Sequence, residues 1–371
     1  MKRRDFLLHL SAALPAATMF ATVGRARGVW AADAPLTADW RTFEITTSVD
    51  VASPAGHTCL WLPVPSSTRT SYQVALDARW DASGATRAGL ISAPGYDVAL
   101  LRVEWEDPKP AGHVTLTNRV ATCDRRVDMS KPIGTLRRDE TESMLHTYLR
   151  PTSLLPTDGI VRQTAEKITR DCHGDMQKAR AIYEWVVDNT SRDPKTPGCG
   201  MGDVASMLQS GYLGGKCADI NALFVALARS VRIPARDAYG IRVADSRRGF
   251  NCLGRSGDIS KAQHCRAEFY AGGVGWVPVD PADVRKVMLE EEAGGLPMGD
   301  PKVQAARAAL FGGWEMNWVA FNHGHDVALP GSGKGAIPFL MYPNGETAEG
   351  RLDSLSPATF RYEIRAREVT A

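Results

Sequence analysis

The sequence predicts an α+β chain, β-rich towards its N-terminal end and helical around a cysteine in its second half. Three observations predict it. Residues 40–125 carry short runs of alternating apolar residues separated by turn-rich pieces. Residues 157–231 carry apolar residues at helical spacing. Residues 264–280 read as one β-hairpin with a Gly-Gly bend. A length of 371 residues leaves room for a main domain and a smaller one. Hydrophobic content of 44% with 23% charged residues is ordinary for a globular protein, so the chain can fill a core without depending on disulfides.

The chain opens Met1-Lys-Arg-Arg-Asp, followed by a mostly apolar run, Phe6–Val23, and small residues ending near Ala31-Ala32. This pattern is expected to be a signal peptide over residues 1–31. The paired Arg3-Arg4 points to twin-arginine export, hence a periplasmic or secreted location, with cleavage after Ala31. A membrane anchor is the competing reading, weakened by Pro15 in the apolar run. Removing residues 1–31 takes away five basic residues and one acidic one, which moves the formal charge from +2 to −2. A near-neutral chain gives no reason to expect nucleic-acid binding. No later stretch is long and apolar enough to span a bilayer.

Residues 40–125 are expected to form an N-terminal sandwich-like β domain. Phe43, Ile45, Val49 and Val51 alternate, as do Leu101, Val103 and Trp105, then Val114, Leu116 and Val120. Residues 126–285 are expected to hold the core, beginning with a polar, Pro-interrupted connector. Thr157 or Asp158 suits a helix cap ahead of Ile160, Val161, Ala165 and Ile168. Asp175 suits another, ahead of Ala179, Ile182, Tyr183, Val186 and Val187. Thr190–Gly202 reads as a loop, and Val204, Met207 and Leu208 mark a short helix.

Gly214-Gly215 then opens a helix in which Ile220, Leu223, Phe224, Leu227, Ala228 and Val231 recur at helical spacing. Ala222, Val225 and Ala226 make its other faces apolar too, so it should be buried. Cys217 falls at its N-terminus, where unpaired N–H groups and the positive end of the helix dipole stabilise a thiolate. Lys216 adds a positive charge. Two readings stand at this point: a capped structural cysteine, or a nucleophile.

The hairpin bears on that choice. Its strands alternate between an apolar set (Cys265, Ala267, Phe269, Val277, Val279) and a polar set (His264, Arg266, Glu268, Tyr270, Asp280). A bend about Gly272 sets His264 opposite Asp280, with Cβ atoms about 5 Å apart on one face. A one-residue slip would mix the two sets. Such a carboxylate orients an imidazole and stabilises its protonated form; a surface ion pair is the alternative.

Gly-Gly-Lys-Cys217-Ala-Asp, the apolar helix and Arg-Ile-Pro-Ala-Arg together closely resemble the nucleophile segment of the transglutaminase-like superfamily. His264-Cys-Arg-Ala-Glu-Phe-Tyr and Gly-Trp-Val-Pro-Val-Asp280-Pro resemble its histidine and aspartate segments. The resemblance covers about residues 155–285. It implies a papain-like core, with a helix bearing the cysteine packed on an antiparallel sheet bearing the histidine and aspartate. It also implies Cys217 as nucleophile, His264 as base and Asp280 as orienting carboxylate. One position departs: Arg266 stands where the family often has an aromatic residue.

These three residue types specify acyl transfer through a thioester on a protein or peptide amide. The oxyanion would meet the Cys217 N–H, with Gln209 and Tyr212 as candidates for a second donor. Hydrolysis by a peptidase or amidase is the expected outcome. Crosslinking or deamidation by a transglutaminase is the alternative, and a non-catalytic envelope binding module is an alternative of another class. The set calls for no metal or organic cofactor, and no acidic loop has calcium-ligand spacing.

Beyond the core, Ala235–Val243 reads as a strand. Residues 245–261 read as a loop whose Arg247, Arg248 and Arg255 suit either solvent or an acidic substrate. Residues 286–371 are expected to add a helix opened by Asp300-Pro301, then strands near Trp314–Phe321, Phe339–Tyr342 and Phe360–Ala366. These strands either extend the core or form a small module. His323 and His325 form a lone His-x-His, expected to be structural or surface. Seven cysteines allow up to three bridges if Cys217 is free. Cys265 is expected to be a buried thiol.

Overall fold

The computed structural model describes residues 26–29, 39–51, 56–96, 98–106, 112–130 and 142–370. The expected signal segment, residues 1–31, lies outside the described residues except for Ala26–Val29, which pair antiparallel with Asp77–Trp80. The chain is α+β, with an N-terminal β-rich region and a mixed helix and sheet core.

Two sheets make the β-rich region. A six-stranded sheet runs in the order Ala26–Val29, Gln73–Ser83, Gly112–Thr122, Arg41–Val51, Arg361–Val369, Gly257–Asp258. A five-stranded sheet runs Gly350–Arg351, Asn344–Thr347, Thr58–Pro63, Val98–Trp105, Arg87–Ala93. The alternating side chains meet between them: Val49, Trp80 and Leu116 from one, Leu60, Leu101 and Val103 from the other. The end of the chain returns to this region. Arg361–Val369 pairs along Arg41–Val51 from Arg361 opposite Asp50 to Val369 opposite Thr42. Asn344–Thr347 pairs with Thr58–Pro63. The expected strand at Phe339–Tyr342 does not form. There Phe339 stacks on Tyr239, ring centroids 4.8 Å apart, Leu340 and Met341 are buried in separate clusters, and pairing begins only at Asn344.

The core is a four-stranded antiparallel sheet in the order Gly275–Val279, Gln263–Ala271, Ala235–Arg242, Trp318–Asn322. The helix Cys217–Ser230 packs on it with all its residues buried. Leu223, Phe224 and Leu227 are fully buried, and each such burial contributes roughly 1.5–3 kcal/mol, which outweighs the modest helix propensity of its β-branched residues. Gly159–Ile168 and Gly174–Asn189 pack on the same helix. The second of these begins earlier than an Asp175 cap requires. His173 takes the cap position, and its N–H donates to the Gln177 side chain (2.9 Å). Phe43, Ile45 and Val120 of the six-stranded sheet meet Ile241, Val319 and Phe321 of the core sheet, which fastens the two halves together.

The hairpin is shifted by one pair from the expected register. Ala267 faces Val279 and Phe269 faces Val277, so the bend centres on Gly273 rather than Gly272. Gly273 and Gly275 both take positive φ (77° and 91°), which places the turn there. Face parity is unaffected by a shift of two in the sum of paired residue numbers, so the apolar set still faces the Cys217 helix. The polar set is not solvated: His264, Arg266 and Glu268 are all buried under the rest of the chain. Glu268 is bound there by both Arg125 and Arg236.

Candidate active site

Cys217 is the first residue of its helix. The backbone around it is fully engaged except at one point. The Lys216 N–H donates to Asp219 Oδ2 (2.9 Å), the Ala218 N–H to the Cys199 carbonyl (2.9 Å) and the Ile220 N–H to the Lys216 carbonyl (3.0 Å). The Cys217 N–H has no hydrogen-bond partner among the described residues. Asp219 also accepts from Met201 (3.0 Å) and Gly202 (2.9 Å), so one carboxylate clasps the Thr190–Gly202 loop across the helix start.

Three side chains converge on the Cys217 sulfur. Cys199 and Cys265 are the first two neighbours that lower its pKa, and the His264 imidazole adds its positive charge. Together they outweigh burial and hold the Cys217 thiol well below its ordinary value. The two neighbouring thiols are pushed the other way. The Cys217 sulfur followed by burial raises Cys199, and burial followed by the Cys217 sulfur raises Cys265. Tyr342 in turn hydrogen-bonds Cys199. Cys217 and His264 are each only 4% exposed.

His264 Nε2 lies 2.8 Å from Asp280 Oδ2 and 3.4 Å from Asp283 Oδ1. Burial and the nearby Arg242 push the imidazole pKa down, but Asp283 and Asp280 overcome them, and the net shift is upward. Asp280 is the N-cap of the helix Pro281–Glu290, accepting from the Asp283 N–H (3.1 Å). Asn221, one turn along from Cys217, donates to the Cys265 carbonyl (2.8 Å) and to Asp280 Oδ1 (3.2 Å). It thus ties the Cys217 helix to the carboxylate. Asp283 accepts from Arg242 (2.6 Å). Arg266 lies against the Trp318 and Trp314 indoles, with Nε 3.6 Å from Asp280. The residue that departs from the family pattern therefore rests on aromatic rings and brings a second cation to the carboxylates. His264, Asp280 and Asp283 place possible metal-ligand atoms within 4.8 Å of one another. Arg242 and Arg266 already neutralise those carboxylates, so this set does not suit a cation.

The other candidates have different surroundings. Gln209 is exposed at the end of Val204–Ser210. Tyr212 is 59% exposed, and its hydroxyl donates to Asp193 (2.9 Å), which engages the donor away from Cys217. Arg247 pairs with Glu368 and Arg248 with Asp124, while Arg255 donates to the Asp258 carbonyl. His325 is buried against Asp237 (3.1 Å), and His323 Nδ1 lies 2.9 Å from the Asp237 carbonyl. All seven cysteines are unpaired thiols. Asn221 and Asp219 were missed in the sequence. Their signal was there: a polar residue inside an otherwise apolar, buried helix needs a partner.

The profile of the transglutaminase-like superfamily matches residues 162–281, the stretch that carries the Cys217 helix and the hairpin. An uncharacterized protein of Haemophilus influenzae is 35% identical over 347 residues, which span 89% of this chain and 92% of the relative. Residues 162–281 carry the transglutaminase-like core. The same fold is seen in the crystal structure of a proposed cysteine protease from Cytophaga hutchinsonii. That match has TM-score 0.50 and 17% identity, and covers 92% of this chain and all of the other. Among the described residues, no helix is long and apolar enough to cross a membrane.

Proposed function

We propose that this chain is a cysteine-nucleophile hydrolase of protein or peptide amides. One arrangement carries the reading: Cys217 begins a buried helix beside the hairpin that bears His264, whose Nε2 lies 2.8 Å from the buried Asp280 carboxylate. The imidazole charge is among the causes that lower the Cys217 thiol pKa. In this reading the Cys217 thiolate attacks the amide carbonyl, and the oxyanion forms beside the unpartnered Cys217 N–H. His264 gives its proton to the leaving amine, leaving a thioester. It then takes a proton from water, which attacks the thioester and releases the acid and the thiolate. Asp280 holds the imidazole orientation and its positive charge. Arg3-Arg4 and the apolar run behind them support action outside the cytoplasm.

Low exposure favours water over a second protein as the acceptor. Cys217 is 4% exposed, so even one extended peptide reaches it only after covering residues shift. The discriminating experiment incubates the protein with a glutamine-containing peptide library and a labelled primary amine, then reads the products by mass spectrometry. New peptide ends or deamidated glutamine without amine incorporation are expected. Amine incorporation as the main product would replace hydrolysis with crosslinking. Asp280→Asn should lower turnover on the order of 10⁴-fold, since it keeps the cap oxygen but removes the charge that stabilises the imidazolium. A steady-state assay checks it, alongside thermal melting to show that the fold survives.

A further inference from the structure

Cys199 is a buried nucleophilic group that the acyl-transfer chemistry does not use. It lies in the Thr190–Gly202 loop, yet backbone geometry sets it beside Cys217. Its carbonyl accepts the N–H of Ala218, the residue after Cys217, at 2.9 Å, and its Sγ donates to the carbonyl of Gln263, the residue before His264, at 3.3 Å. Cys199 and Cys217 shift each other's pKa in opposite directions, as neighbouring sulfurs do.

Cys265 neighbours the same sulfur but is anchored. It is fully buried inside the core sheet, paired with Tyr239, and its carbonyl is bound by Asn221. Cys199 lies in a loop outside the core sheet, held by the Ala218 N–H and by the Asp219 clasp on Met201 and Gly202 rather than by strand pairing. A disulfide needs sulfurs about 2.05 Å apart, so one partner must move. Cys199 can do so without breaking the core sheet, and Cys265 cannot.

We propose that Cys199 is a resolving cysteine for Cys217, closing a reversible disulfide that silences the nucleophile and shields it from irreversible oxidation. The inference rests on reading Cys217 as a thiolate nucleophile. The oxidant is a peroxide, small enough to enter where a peptide cannot. The Cys217 thiolate attacks one peroxide oxygen and the O–O bond breaks, giving Cys217 sulfenic acid and hydroxide, which takes up a proton to become water. The Cys199 sulfur then attacks the Cys217 sulfur. The S–O bond breaks, hydroxide leaves with the Cys199 proton as a second water, and the S–S bond forms. The two sulfurs lose two electrons and the peroxide gains them. A dithiol reductant reverses the bond by exchange.

The test treats the full chain with excess hydrogen peroxide, since sulfinic acid consumes a second equivalent, and maps the peptides without reduction by mass spectrometry. The expected product is a Cys199–Cys217 crosslinked peptide, with near-complete loss of alkylable Cys217 that dithiothreitol restores. Cys199→Ser should give no crosslink and should carry Cys217 on to sulfinic acid, a loss dithiothreitol does not reverse. Cys265→Ala should still give the Cys199–Cys217 crosslink, although Cys217 reacts more slowly without that neighbour, and melting curves establish that both variants fold. Sulfinic acid at Cys217 in the wild type without a crosslink would overturn the resolving role while leaving the thiolate reading standing. A crosslink to Cys265 instead would also overturn it. If Cys217 reacts with neither peroxide nor iodoacetamide, both readings fall.

Discussion

Cys217→Ala is expected to remove amide turnover, by on the order of 10⁴- to 10⁶-fold, because the neighbouring Cys199 and Cys265 thiols are held well above their ordinary pKa and neither sits at the helix start. Stability should fall far less, by roughly 1 kcal/mol, the scale of deleting one small buried side chain. The helix that carries Cys217 does not depend on its thiol. Asp219 caps the helix, Leu223, Phe224 and Leu227 bury it, and Asn221 bonds it to Cys265 and Asp280. What the alanine removes is the sulfur beside two thiols and an imidazole. The measurement pairs a turnover assay with thermal denaturation. A large loss of stability with turnover retained would make Cys217 a structural residue.

Glu268→Gln should have the largest effect on stability. Glu268 is fully buried, and its carboxylate binds the Arg125 guanidinium on one side and Arg236 Nε (2.6 Å) on the other. Arg236 also lies over the Trp276 ring, 3.9 Å from its centroid, and Arg125 donates to the Trp276 carbonyl (2.7 Å). Neutralising the single anion leaves two guanidiniums without their counter-charge, and breaking a buried pair in this way costs roughly 3–5 kcal/mol. The pH dependence follows in sign. Burial pushes the Glu268 carboxyl up, but Arg125 and Arg236 overcome it and hold the group far below the usual glutamate range. The folded state therefore binds this proton less readily than the unfolded state. The stabilisation is complete above the ordinary value of 4.5 and is lost as pH falls below it, through the depressed folded value. Urea midpoints as a function of pH should show that acid-side slope in the wild type and a shallower one in Glu268→Gln. Equal midpoints at neutral pH would contradict the account.

Much of the core was legible because its signals are local. The Gly214-Gly215 turn and the apolar spacing from Ile220 place Cys217 at a helix start. Alternation from Cys265 to Val279 divides the hairpin faces correctly even though its register is off by one pair. A two-residue Gly-Gly bend does not say which glycine holds the turn, and it is the positive φ of Gly273 and Gly275 that decides it. The partners were harder to read. Alternation marks Phe360, Tyr362 and Ile364 as a strand, but nothing local says that it pairs with Arg41–Val51 at the other end of the chain. The contacts that tune the candidate site have the same character. Cys199, Arg242 and Asp283 come from a loop, a strand and a helix, and only the packing of the core brings them to Cys217 and His264.

The central claim is that Cys217 is a thiolate poised by His264, and the rate of Cys217 alkylation against pH tests it most directly. Iodoacetamide labelling is followed by peptide mass spectrometry in wild type and in His264→Ala. An unperturbed thiol ionises near about 8.5. The account predicts fast Cys217 labelling well below that value in the wild type, with the onset moving towards it when the imidazole is removed. An onset near the unperturbed value in both proteins, or a Cys217 that does not label in either, would contradict the account and leave a transglutaminase-like fold without an assembled nucleophile.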